Sequence, residues 1–256
     1  MSITQEYQRV VYGTNPLVEV ICQLKFPTLL QIDATPPASF QSRIMQQYAK
    51  LEIRDAVHVM LSGEPDTAPL LRSKSYHFIS DDGNWTITLA SDFLALTAQE
   101  YVRWEDFRSR LIFACEAFLS EYQIAYFTRI GLRYRDIIDP TYLGLEQVPW
   151  SELIRLPVLG MVGADDLHGG NVKVASSAIE MTVDNVDIVI NTGLLENNET
   201  RSKAFLIDTD FFLEGKLEHG VKDAVAYAND LHGLSGPVFR WCITERLHNH
   251  LKPALV

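Results

Sequence analysis

Hydrophobic and polar residues alternate over 18–26, with Val18, Val20, Cys22, Leu24 and Phe26 on one side and Glu19, Gln23 and Lys25 on the other. A period of two predicts a half-buried strand. Pro36-Pro37 stops extended structure, and Ser39 is placed to cap a helix that carries Phe40, Ile44 and Tyr48 on one side and ends near Lys50. Beyond a stretch with Gly63, Pro65 and Pro69, the runs 75–80 and 85–90 flank Asp81-Asp82-Gly83-Asn84, which predicts a hairpin. From Trp104 the period changes. Trp104, Phe107, Leu111, Cys115, Phe118 and Tyr122 recur at helical spacing, the stripe of an amphipathic helix. Over 126–138 the period returns to two: Thr128, Ile130, Leu132 and Tyr134 alternate with Arg129, Arg133 and Arg135, and Asp139-Pro140 ends this strand.

Trp150-Ser151-Glu152 opens a short helix closed by Pro157, and 163–170 reads as a loop. Three further strands, 172–183, 186–192 and 204–213, are separated by Asp184-Asn185 and by the polar run 196–203, and a meander of antiparallel strands is the economical reading. Roughly the last 35 residues carry helical periodicity, with Gly233, Gly236 and Pro237 expected to kink or split the helix. The pattern therefore predicts an α+β protein: an antiparallel sheet of about six to eight strands with helices on one face. It reads as one domain, 1–256, with a subdivision near 140–170 left open.

Composition narrows the function. With 256 residues, 47% hydrophobic and 21% charged, the chain can bury a core without covalent staples. Cys22, Cys115 and Cys242, odd in number and each in an apolar stretch, are expected as buried free thiols. Lys and Arg total 22 against 33 Asp and Glu, a net charge of −11, which argues against nucleic-acid binding unless a local basic patch exists. No apolar run approaches the roughly 18 residues needed to cross a bilayer, and no charged leader precedes an apolar segment; the expectation is a cytoplasmic protein without membrane contact.

Asn15-Pro16-Leu17-Val18-Glu19-Val20, Phe93-Leu94-Ala95-Leu96 leading to Tyr101 and Trp104-Glu105-Asp106-Phe107, then 127–134, and at the end Leu231-His232 and Ile243-Thr244-Glu245 form a series of blocks. Together they resemble the blocks of a sporadically distributed family of uncharacterised bacterial proteins. The resemblance implies one compact α+β unit of bacterial origin and supplies no activity. Its patchy distribution implies horizontally exchanged genes, phage defence among them. Gly236-Pro237 departs from the uninterrupted helix that the resemblance implies there.

Candidate chemistry is sparse. Arg129, Arg133 and Arg135 share one strand face, with Gly131 leaving room for a neighbour or a ligand; they could bind a phosphate, a carboxylate or a partner, or pair with Glu19, Glu180, Asp208 or Asp210. Asp208 and Asp210 lie on one side of a strand and could hold Mg²⁺ only with substrate oxygens and water completing the shell. His248 and His250 diverge on a helix; Glu245 and His248 have half of a di-metal spacing without the second half; His168 beside Asp165 and Asp166 reads as a solvated loop. The tryptophans read as core or boundary residues, or, if exposed, as part of an interface. Gly233-Leu234-Ser235-Gly236 and Gly215-Lys216 lack the context of a nucleophile elbow or a phosphate loop. No cofactor is indicated. The leading expectation is a non-catalytic accessory or interaction protein of a bacterial cytoplasmic system, with a protein partner or as a homo-oligomer. The alternatives are a ligand, nucleotide or nucleic-acid sensor using the arginine face, and a metal-dependent hydrolase around Asp208 and Asp210.

Overall fold

The computed structural model describes residues 3, 5, 7–59, 70–164, 172–196 and 202–255. The loop at 163–170, with Asp165, Asp166 and His168, lies almost wholly outside the described residues, as does most of the polar run 196–203. In chain order the first half contains β1 (Val10–Tyr12), β2 (Leu17–Lys25), α1 (Leu30–Ala34), α2 (Ala38–Ile44), β3 (Lys50–Val59), β4 (Leu70–Ile79), β5 (Trp85–Ala90), β6 (Phe93–Ala98) and α3 (Trp104–Glu121). The second half contains β7 (Phe127–Ile138), α4 (Pro140–Leu143), α5 (Trp150–Leu153), α6 (Leu156–Leu159), β8 (Ser176–Val183), β9 (Val186–Glu196), β10 (Lys203–Leu217), α7 (Val221–Cys242), α8 (Glu245–His250) and β11 (Pro253–Leu255).

Among the described residues nine strands, more than the six to eight expected, form one antiparallel sheet in the order β3-β4-β5-β6-β2-β7-β10-β9-β8, and β1 pairs with β11 in a separate ribbon. The chain is thus α+β, as its periodicities predict. β2 and β7 are the central pair, with Cys22 opposite Leu132 and Leu24 opposite Ile130, all four buried. That register places the arginines of β7 on the other face, because neighbouring side chains on a strand point to opposite sides. The apolar stripe of α3, including Phe107, Leu111, Cys115 and Phe118, is buried in the same core cluster as these strand residues. Each large side chain so buried contributes about 1.5–3 kcal/mol.

Local chemistry accounts for the connections. Asp184 and Asn185 both take positive φ, the two-residue turn that matches strand twist between β8 and β9. Asp139 Oδ1 accepts from the backbone N–H of Thr141 at 2.9 Å, so Asp139-Pro140 both ends β7 and caps α4.

Three expectations are corrected. Ser39 is not the cap of α2: Pro37 occupies that position, the helix stops at Ile44, and Lys50 already belongs to β3. α7 is not split at Pro237 but continues to Cys242, because Ala224, Ala228, Leu231, Val238 and Cys242 keep one buried stripe on both sides of it. The break comes at Ile243, which leaves the helix to form a β-bridge with Ile154. That bridge, with Arg155 N–H donating to Cys242 O and Thr244 N–H to Leu153 O, ties α5 and its flanks to the C-terminal helices.

Candidate functional site

The arginines of β7 stand on the face of the sheet away from α3 and α7, and acids on adjoining strands engage each of them. Arg133 donates through Nε and Nη2 to Asp208 at 2.7 and 2.5 Å. Arg129 Nη2 donates to Asp210 at 2.8 Å, and its Nε lies 3.5 Å from Glu214. Arg135 Nη1 donates to Glu19 at 3.0 Å, while its Nε, 3.8 Å from Asp208, has no hydrogen-bond partner among the described residues. Gly131 makes room for a neighbour: a Cβ there would stand 2.3 Å from Arg129 Nη1, whose guanidinium lies across it and 4.2 Å from the centre of the Phe212 ring. Glu180 sits exposed on β8, outside this ladder.

Asp208 and Asp210 are therefore taken up by guanidinium groups. Among the described residues no group of three or more His, Cys, Asp or Glu is placed to hold a metal ion. His248 Nδ1 shares a hydrogen bond with Tyr12 Oη at 2.9 Å, whereas His250 Nε2 meets the Leu143 carbonyl at 2.9 Å, so the two histidines serve different contacts. Glu245 pairs with Arg240. Ser235 Oγ, inside α7, donates to the His232 carbonyl at 2.8 Å.

On the opposite face lies a cavity of about 780 Å³ that sequence reasoning missed. Its lining comes from the N-terminal segment, the β6–α3 connection, β7, β10, α7, α8 and the β1–β11 ribbon. Asn15 fixes one corner: its Nδ2 donates to the Tyr101 carbonyl at 3.0 Å and its Oδ1 accepts from Leu17 N–H at 3.1 Å. Arg9 fixes another, through two bonds of 2.8 and 3.0 Å to Glu105. Trp104 stacks on His232 with ring centres 4.4 Å apart, and Trp104 Nε1 donates to Asn229 Oδ1 at 2.8 Å. His232 Nδ1 meets Tyr134 Oη at 2.9 Å.

Two titratable groups in the cavity are shifted in opposite directions. Asp136 is 6% exposed and lies on the core face of β7, two residues along from Tyr134; its carboxyl has no hydrogen-bond or ion-pair partner among the described residues. Burial, reinforced by the negative charge of Asp208 on the neighbouring strand, pushes it up to about 8. Burial, with the positive charge of Arg9 adding to it, pushes His232 down to about 4. Near pH 7 the cavity thus holds a mostly protonated acid and a neutral imidazole. Burial also raises the Tyr101 and Tyr134 hydroxyls above their ordinary range.

The signal for Asp136 was present in the sequence: it occupies the apolar phase that runs through Ile130, Leu132, Tyr134 and Ile138. Asn15, Tyr101, Trp104, Glu105, Tyr134, His232 and Glu245, which belong to the blocks quoted above, line the cavity or brace its wall. Among the described residues no helix is long and apolar enough to cross a membrane. No family model matches the chain, and no curated protein matches it.

Proposed function

We propose that the protein is a non-catalytic binding protein that takes a small organic ligand into the cavity beside α7, as an accessory component of a bacterial cytoplasmic system. The observation that carries this reading is Asp136: a buried carboxyl without a partner among the described residues, opening into a cavity of about 780 Å³. An unpaired buried polar group costs free energy, and a ligand that satisfies it recovers that cost. A cavity of this size whose walls mix aromatic and aliphatic surface with placed polar groups suits a small molecule. The ligand reading thereby moves from the arginine face, where each guanidinium already has an acid, to the other side of the sheet. The bacterial setting, and phage defence within it, rests on the resemblance of the sequence blocks, and the cytoplasmic one on the free thiols.

Filling the cavity tests the proposal. Gly236 lines it and has no atom within 4 Å of where a Cβ would stand. Gly236→Phe should melt close to wild type, since the gain from replacing a helical glycine, at most about 0.5–1 kcal/mol, is offset by crowding of the new Cβ against Pro237. It should also lose the fragments that saturation-transfer NMR detects on the wild-type protein. A wild type that binds no fragment, or a variant that keeps them all, would sink the reading. The opposite shifts of Asp136 and His232 favour a second reading, acid–base catalysis in the same cavity, with Asp136 as acid and His232 as base. Conversion of a bound fragment by wild type and not by Asp136→Asn distinguishes it.

A further inference from the structure

We infer that the cavity's ligand is an organic cation, a primary ammonium on an apolar or aromatic body, held by an ion pair to Asp136. This rests on the reading of the cavity as a binding site and specifies the charge of what it binds.

The charges around the cavity point to it. Three arginines contribute to the lining, and each has its own acid: Arg9 with Glu105, Arg103 with Asp106, and Arg240 with Glu245. These pairs cancel, and among the described residues Asp136 remains as the lining acid with no cation of its own. The body of the ligand would meet aromatic surface, since Tyr12, Tyr101, Trp104, Tyr134 and Phe239 line the same space. Aromatic rings attract cations by their quadrupole, and more strongly when water is excluded. A second acceptor comes from the backbone. Pro237 has no N–H to give to the carbonyl of Gly233, four residues before it, and both residues line the cavity. An ammonium group has three donors and no acceptor, so a carboxylate and a freed carbonyl suit it.

Without ligand the Asp136 carboxyl is mostly protonated near pH 7, its pKa pushed up to about 8. When the ammonium enters, that proton leaves to solvent and the carboxylate pairs with the incoming charge, so binding releases close to one proton. The groups that feel Asp136 from neighbouring elements are Tyr12 on β1, Cys242 on α7 and Asp208 on β10. Burial lifts both Tyr12 and Cys242 to about 12, and Asp208 is held by Arg133, so none of them supplies the proton. The carboxyl has already left water on folding, so at binding only the ligand's charge remains to be desolvated, which limits the penalty that usually offsets buried ion pairs. A net charge of −11 over the whole chain favours the approach of a cation.

Three probes with one carbon frame separate the possibilities: 2-phenylethylamine, 2-phenylethanol and phenylacetate, titrated calorimetrically into the full-length protein near pH 7 in two buffers of different ionisation enthalpy. The amine should bind at least about tenfold more tightly than the alcohol, with close to one proton released per amine, and phenylacetate should give no binding heat. Asp136→Asn should remove the amine's preference and the proton release while still binding the alcohol, which shows that the cavity persists in the variant. An alcohol or phenylacetate that binds as well as the amine, or an amine preference that survives in Asp136→Asn, would overturn the cation inference and leave the cavity reading standing. If none of the three binds at about 10 mM, the cavity reading fails as well.

Discussion

Asp136 gives the fold a pH dependence whose sign is fixed. An ordinary aspartate titrates near 3.9 in an unfolded chain, and burial raises this one to about 8. Between those values the native state holds a proton that the unfolded state has lost, so Asp136's contribution to stability falls as pH rises and levels off above 8. His232 acts oppositely over a narrower window: lowered to about 4 by burial, it removes stability as pH falls from about 6.5 toward 4. From pH 6.5 to 8 only the Asp136 slope remains of the two. Asp136→Asn should therefore gain about 2 kcal/mol on wild type over that interval, read from paired urea melts at the two pH values. A constant difference between the proteins would show that Asp136 is not held protonated. The arginine ladder behaves as structure. Arg133→Glu would set a carboxylate against buried Asp208 and should cost about 1–3 kcal/mol, less than a fully buried pair because Arg133 is 43% exposed. A variant that melts like wild type yet loses a binding partner would return that face to a recognition role.

Whether an element was legible in the sequence depended on how unevenly its two sides are buried. β2, β7 and α3 each bury one side fully and the other only in part, so their periods were plain. β6 escaped because Leu94, Ala95 and Leu96 are consecutive and all buried, which erases the alternation. β3 escaped because Glu52, Arg54 and Asp55 interrupt its apolar positions and Leu51 and Ile53 are exposed at the edge of the sheet. At Pro237 local propensity and tertiary packing disagreed, and the continuous buried stripe of α7 prevailed. The arginine pairing was partly readable, since Glu19, Asp208 and Asp210 were among its anticipated partners and only the choice of strand neighbours was missing. The cavity was not readable as a whole. It depends on contacts such as Arg9 with Glu105 and Tyr134 with His232, 96 and 98 residues apart, which no local period encodes. The one local clue, a carboxylate in the apolar phase of β7, identified the residue and not the space around it.

At the scale of the whole molecule, the sheet order gives β2 a joining role. It lies between β6 of the N-terminal strand group and β7, which leads to the C-terminal group, so the two groups meet through β2 and β7. One buried cluster then contains Cys22 on β2, Cys115 on α3 and Cys242 on α7, all unpaired. Burial raises all three thiols, with Cys115 and Cys242 lifted to about 12, so the native state presents almost no thiolate to a reagent and reaction requires opening. If the sheet and its helices open as one unit, iodoacetamide should modify the three cysteines at a common rate. That rate should lie at least about 10³-fold below the unfolded chain's, as expected for a fold stable by several kcal/mol. Mass spectrometry of peptides after timed alkylation gives the three rates separately. Modification of Cys242 well ahead of the other two would mean that α7 leaves the sheet on its own. The cavity, which α7 walls, would then open by local unfolding while the rest of the fold stays closed.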